Sequence, residues 1–211
     1  MRNSGGPPPP AAAPDRRIEL IRSAYRLFGS HGVHRVSLDQ VAAGAGLSKG
    51  LVLYYFKTKE NLVLATMRWA LDQTAERVRQ AMARAATPNG KVLAMIDGIW
   101  SGAKTNRRFY LLYLDLAAHA ARAQHFADLS AAFHSVVNAL YAEVIVQGNA
   151  EGAFAVEDPE AGAATLRAII DGMFLQWLQE PEWERLHPSY RDLCKSAALT
   201  YLARPAGAPA P

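Results

Sequence analysis

SLDQVAAGAGLSKGLVLYYFKTKENL, residues 37–62, decides the reading of this chain. Ser37, followed three residues later by Gln40, is a capping box that satisfies orphan amides at a helix start. Val41, Ala42 and Ala45 then give a short apolar face. Gly44 and Gly46 stop it, because glycine accepts the left-handed conformation that helix ends often need. Ser48 caps a second short helix that runs to about Phe56. Thr58 caps the next helix, with Glu60 in its first turn where the helix dipole favours an acid. Two short capped helices around a glycine turn form a helix-turn-helix, whose second helix lies in the major groove of DNA. Ser48, Lys49, Tyr54, Tyr55, Lys57 and Lys59 supply polar and basic groups where such a helix needs them. The stretch therefore predicts DNA binding.

The charge distribution agrees. Residues 1–60 hold nine Lys/Arg against four Asp/Glu, whereas the remainder holds 14 against 15. A basic N-terminal quarter on a near-neutral body is the electrostatic footprint of a nucleic-acid-binding module. The single cysteine, Cys194, excludes an internal disulfide and suits a reducing cytoplasm. No apolar run approaches the ~20 residues that span a bilayer, so no membrane role is expected. Prolines stand where a signal peptide would have its apolar stretch.

Outward from the helix-turn-helix, the chain reads as all-α. Residues 1–14 (MRNSGGPPPPAAAP) and 204–211 are Pro/Ala-rich and predict disordered tails. Asp15 caps a first helix whose Ile18, Ile21, Tyr25 and Phe28 make one apolar stripe, ending at Gly29–Gly32. A DNA-binding domain over 15–60 is followed by a larger helical body over 61–203. The body's long first helix reaches the eighties and ends before Pro88. Further helices are expected near 91–103, 106–122, 126–148, 159–179 and 189–203. Breaks are read at Thr105-Asn106, Gln124-His125, Gly148–Gly152, Asp158-Pro159, Pro181 and Pro188. The last two helices carry apolar and small residues on more than one face, which predicts a homodimer through them.

Residues 16–64 resemble the DNA-binding domain of the tetracycline-repressor (TetR) family of bacterial transcription regulators. RRIELIRSAYRLFGSHGVHRVSLDQVAAGAGLSKG and YYFKTKENL carry the resemblance. YLLYLDLAAHA, EGAF, DPEAGAATLRAIIDGM and LQWLQEP are similar to the betaine-responsive subset. The resemblance implies an all-helical homodimer, a divergent effector-binding domain, and a repressor that leaves a double-stranded operator when a small molecule binds. Carried over residue by residue, it makes Ser37, Ser48, Lys49, Gly50, Leu51, Tyr54, Tyr55 and Lys59 the DNA-contact candidates. Lys49, Gly50, Leu51 and Tyr54 are expected at base edges, Ser37 and Tyr55 at phosphates, and Lys59 at a helix N-terminus that also favours phosphate. One departure is Leu53, where many members have tyrosine. Leucine offers only apolar contact, as to a thymine methyl.

In the body, Trp100, Tyr110, Tyr113, Phe133, Tyr141, Phe174 and Trp177 are the aromatic candidates for an effector cavity, with Met67, Phe109, Phe126 and Met173 nearby in type. Asp115 lies in apolar surroundings and would pair with a cationic part of the ligand. Asp171, beside Gly172, is read as structural. The expected effector is mainly apolar, aromatic or cationic. His119, His125 and His134 do not share one helix face, so no metal site is expected. No catalytic signature or cofactor fingerprint is present. The alternatives are a helical enzyme, with Asp115, Glu143 and a histidine converging, and a dimerisation protein that keeps the fold without DNA binding.

Overall fold

The capping groups of the N-terminal quarter are all engaged. In the computed structural model, which describes residues 15–120 and 124–203, Asp15 Oδ1 accepts from the amides of Arg17 and Ile18 at the start of α1 (Arg16–His31). The Ser37–Gln40 capping box is complete in both directions and opens α2 (Leu38–Gly44). Ser48 Oγ accepts from Leu51 N at 3.3 Å to open α3 (Lys49–Phe56), and Thr58 Oγ1 from Asn61 N at 3.1 Å to open α4 (Lys59–Met82). The expected tails, 1–14 and 204–211, lie outside the described residues, as do the side chains of His119, His125, Phe126 and Phe133.

Leu20, Ile21, Ala24 and Phe28 of α1 form a closed core with Val36, Val41, Val52, Phe56 and Leu62. Packing is tight at Gly44, where a Cβ would lie 2.6 Å from Ser23 Oγ. Ser23 in turn donates to Val41 O at 2.9 Å, pinning α2 across α1.

The body consists of α4 with α5 (Pro88–Ile99), α6 (Ala103–Ala120), α7 (Gln124–Ala150), α8 (Pro159–Gln179) and α9 (Trp183–Leu202). The described residues contain no strand. Helix α4 packs along α5, α7 along α8, and α8 along α9. Helix α6 is the junction, in contact with α1 on one side and with α7 and α9 on the other. At Gly29 the approach of α1 to α6 is so close that a Cβ would fall 2.0 Å from Arg108 Cγ and 2.8 Å from the Arg108 carbonyl.

Three proline and asparagine breaks are corrected. Pro88 starts α5 rather than preceding it: Thr87 Oγ1 accepts from Gly90 N at 3.1 Å, and proline suits the first turn because its missing amide needs no partner there. Pro188 lies inside α9 near its start, where it removes a single helical bond. Thr105 and Asn106 lie inside α6, and Asn106 folds back on the corner before it. Its Oδ1 accepts from Gly102 N at 3.1 Å and its Nδ2 donates to Ile99 O at 2.7 Å. Gln124-His125, read as a break, forms the first two residues of α7, after α6 has ended at Ala120.

Candidate DNA-reading face and internal cavity

Helix α3 has two faces. Val52 and Phe56 are buried, and Leu51 is half-buried. At about 100° per residue, Lys49, Gly50, Leu53, Tyr54 and Lys57 fall within one arc of about 140°, and all of them are exposed. Tyr54 is 68% exposed and Leu53 40%. Leu51, expected at base edges, is half-buried, and Leu53 takes a place on the exposed face. A Cβ on Gly50 would meet only Ser48 Oγ, at 3.8 Å, so the start of α3 is flat and open.

The groups around this face are held from several sides. Lys49 Nζ lies 2.8 Å from Asp39 Oδ2 of α2. Lys59 Nζ reaches His34 O at 3.5 Å. Lys57 closes α3 with φ 66°, and its Nζ sits 5.6 Å from the Tyr54 ring centroid. Tyr54 and Tyr55 meet edge-on, with centroids 5.2 Å apart. Ser37 and Ser48 are exposed while their hydroxyls serve as caps.

The second feature is a cavity of about 380 Å³ in the body, a size suited to a small molecule. Helices α4, α6, α7 and α8 supply most of its wall, with Trp69, Phe109, Tyr110, Leu140 and Tyr141 as its apolar surface. Arg77, Asn106, Arg167 and Asp171 are its inner polar groups, and the exposed Arg68 and Asp72 stand at its rim.

Of the expected aromatic residues, Tyr110 and Tyr141 line this cavity. Trp100, Phe174 and Trp177 form a buried packing stack behind it. The Phe174 ring lies between Trp100 at 3.7 Å and Tyr110 at 3.8 Å, and Trp177 Nε1 donates to Trp183 O at 2.6 Å. Tyr113 sits beside the cavity with Oη 3.3 Å from His134 Nε2.

Asp115 is elsewhere. Five residues along a helix turn through about 500°, so Asp115 and Tyr110 point roughly 140° apart on α6. Its Oδ2 accepts from Val33 N, between α1 and α2, at 3.1 Å. It lines a separate hollow of about 160 Å³ with His34, Lys59, Glu60 and Leu116. The inner acid of the main cavity is Asp171, to which Tyr110 Oη donates at 3.3 Å. Burial raises its carboxyl from 3.8 to about 6, against the opposing influences of Arg167 and the Tyr110 hydrogen bond. Burial also raises Tyr110 well above its ordinary value, with Asp171 adding to it, and lifts Tyr113 to about 12. Burial lowers Arg77, and burial and then the charge of Arg167 lower His134. Arg77 and Arg167 escaped sequence reasoning because an arginine on a long helix normally reaches water.

Residues 20–66 match the tetR family of bacterial regulatory proteins, and residues 88–203, more than half of the chain, match the C-terminal part of BetI-type transcriptional repressors. The chain belongs to the TetR family. The HTH-type transcriptional regulator BetI of Brucella canis is 30% identical over 169 residues, 77% of this chain and 80% of that one. Its counterpart in Rhizobium meliloti is 39% identical over 83 residues, covering 39% of this chain and 41% of that one. Solved structures agree in fold. A TetR-family regulator from Rhodococcus sp. superposes with a TM-score of 0.75 at 23% identity, over 89% of this chain and 98% of that one. A transcriptional regulator from Saccharomonospora viridis, solved with choline, gives 0.76 at 20% identity, over 85% and 93%.

A TetR-family chain with a BetI-type C-terminal part is a DNA-binding transcriptional repressor with a ligand-binding domain. The family is one of transcription regulators rather than enzymes. Among the described residues no helix is long and apolar enough to cross a membrane.

Proposed function

We propose that this TetR-family repressor holds a near-palindromic operator as a homodimer and leaves it when a small molecule fills the cavity. The observation that carries this reading is that the cavity wall includes the two helices that hold the DNA-binding module. Helix α4 begins two residues after α3 and contributes Trp69 and Arg77 to the wall. Helix α6 contributes Phe109 and Tyr110, and grips α1 through the Gly29–Arg108 contact and the Asp115–Val33 hydrogen bond. A ligand that fits one spacing of these helices better than another shifts the population toward it. Equal affinity for both states would shift nothing.

On the DNA side, Lys49, Gly50, Leu53 and Tyr54 would face base edges. Ser37, Ser48, Tyr55 and Lys59 would hold phosphates around them. The uncovered face of α3 supports this assignment, as does the basic excess of the N-terminal quarter.

The homodimer is supported by the outer face of α8. Ala161, Thr165, Ala168, Gly172, Leu175 and Gln179 recur there at spacings of four and three, all exposed except the half-buried Gly172. Leu193 on α9 is 52% exposed. Two small-residue faces can approach closely about a two-fold axis, placing recognition helices about 34–36 Å apart or a multiple of it. Ala198 lies in the monomer core, so a charge there would unfold the chain rather than probe the interface.

The choline-bound neighbour shares the fold at 20% identity and does not carry its ligand over to this cavity, whose polar groups differ from the expected Asp115 arrangement. The test is a gel-shift of the full chain on its own upstream intergenic DNA, with and without molecules that raise its melting temperature. Specific retardation that such a molecule reverses is the expected result. Ligands that stabilise the protein yet never release the operator would overturn the release step.

A further inference from the structure

The polar groups of the cavity are unbalanced in sign. From α4, the exposed Arg68 and Asp72 stand one turn apart at the rim, where water screens them. The stretches of α6 and α7 that line the cavity contribute no charge. Deeper in, α4 supplies Arg77 and α8 supplies Arg167 and Asp171, two guanidinium groups against one carboxyl. Arg77 spends Nε on Gly98 O at 2.7 Å and Nη2 on Thr74 Oγ1 at 3.2 Å, both uncharged acceptors. Arg167 stands one helical turn from Asp171, yet neither arginine forms an ion pair among the described residues. Arg167 Nη1 is buried without a hydrogen-bond acceptor among the described residues.

A half-buried guanidinium that forms no ion pair and has a buried N–H without an acceptor is costly, because hydration has been removed there and the one nearby carboxyl does not fully replace it. We infer that the effector carries an anionic group, a carboxylate on an apolar or aromatic body, and that Arg167 together with Arg77 receives it. The planar guanidinium fork matches a carboxylate in two parallel hydrogen bonds. The walls from Trp69, Phe109 and Tyr141 suit the apolar body. A quaternary ammonium ligand would meet two positive charges and one acid whose charged form burial already disfavours. The inference rests on the cavity being the effector site, and it reverses the charge expected from Asp115.

The test compares head groups on one skeleton. Calorimetric titration of the full-length protein uses 4-phenylbutyrate, 4-phenylbutanamide and trimethyl(3-phenylpropyl)ammonium, with straight-chain carboxylates from butyrate to decanoate as a length series. At least one carboxylate should bind, about 10- to 100-fold tighter than its amide or ammonium counterpart, the factor expected for charge-assisted hydrogen bonds. Arg167→Gln should lose the same factor and Arg167→Lys only part of it, with melting curves of the free variants reporting that they fold. Should Arg167→Gln not fold, the three head groups on the wild-type protein still decide. The inference is overturned if the ammonium binds as tightly as the carboxylate, if no carboxylate binds, or if folded Arg167→Gln binds carboxylates unchanged. A gel-shift in parallel separates the two proposals. A carboxylate that binds through Arg167 without releasing operator leaves the anion site standing and removes induction. An ammonium that binds as tightly as the carboxylate and releases operator does the reverse.

Discussion

Replacing Asp171 by asparagine should stabilise the protein at neutral and alkaline pH. The carboxyl is raised from 3.8 to about 6, burial being the first cause, so the folded state holds its proton more tightly than the unfolded chain does. Stability from this group is therefore fully present below about pH 3.8 and is lost by about pH 6. The gap, at about 1.4 kcal/mol per pH unit, amounts to about 3 kcal/mol, an upper bound because the half-buried carboxylate keeps some water. Asparagine resembles the protonated acid in shape and still offers Oδ1 to the Tyr110 hydroxyl. Asp171→Asn should thus melt higher than wild type by up to about 6–12 °C above about pH 6.5, taking ~2–4 °C per kcal/mol for a chain of this size. Near pH 4 the two curves should nearly coincide. The assay is a pair of melting curves at fixed protein concentration from pH 4 to pH 8, so that every other titrating group cancels between the two proteins. A wild type more stable than the variant at pH 8 would show that Arg167 holds Asp171 as a true ion pair, and the desolvation argument would fail.

Three further outcomes are expected. Lys59→Ala should weaken binding to all DNA sequences and flatten the log–log salt dependence by about 0.9, while Tyr54→Ala should change base preference; anisotropy titrations across a KCl series distinguish them. Ala168→Glu places a charge on a side chain exposed in the single chain, so it should fold normally, sediment as a monomer and lose operator affinity; a surviving dimer moves the interface elsewhere. Gly29→Ala should cost about 1–3 kcal/mol in urea unfolding despite alanine's better helix propensity. The Arg108 side chain can swing away from the added methyl, but its carbonyl at 2.8 Å cannot. A more stable Gly29→Ala would contradict the closeness of α1 and α6.

The N-terminal module was legible nearly to the residue because its helices are short and each start is marked by a side-chain cap. Asp15, Ser37, Ser48 and Thr58 all act locally, within three residues of what they bind. The body was legible only as helices. Pro88 was misread because proline at a helix start and proline after a helix look alike until Thr87 is seen to cap. Pro188 was misread because its place near the start of α9 depends on where that helix begins, which no cap hydrogen bond announces. Asp115 was chosen for the cavity from its apolar neighbours, but composition does not say which way a residue points around α6. That direction is set by α1 packing against one side of the helix, a long-range contact. The same blindness set Asp171 aside as structural and hid Arg77 and Arg167, polar residues on long helices that acquire meaning only when α4 and α8 face a common space.

Asn106 joins parts of the molecule that are otherwise separate. Its amide holds Ile99 O and Gly102 N at the α5–α6 corner, its Oδ1 also lies 2.9 Å from His187 Nε2 of α9, and it lines the cavity. With Nδ2 donating, that oxygen is the acceptor, so His187 must present Nε2–H, which fixes the tautomer of a buried ring that burial keeps from charging. Every hydrogen bond the carboxamide makes is therefore committed to an element outside the cavity. Reshaping this receptor for a foreign inducer by altering α6 at that point would disturb the corner and α9 together, a three-way joint with no slack. The α7 wall offers the opposite case. Val137 and Leu140 meet the cavity with hydrocarbon alone, so the volume there can be redrawn a methyl at a time without a hydrogen bond changing hands.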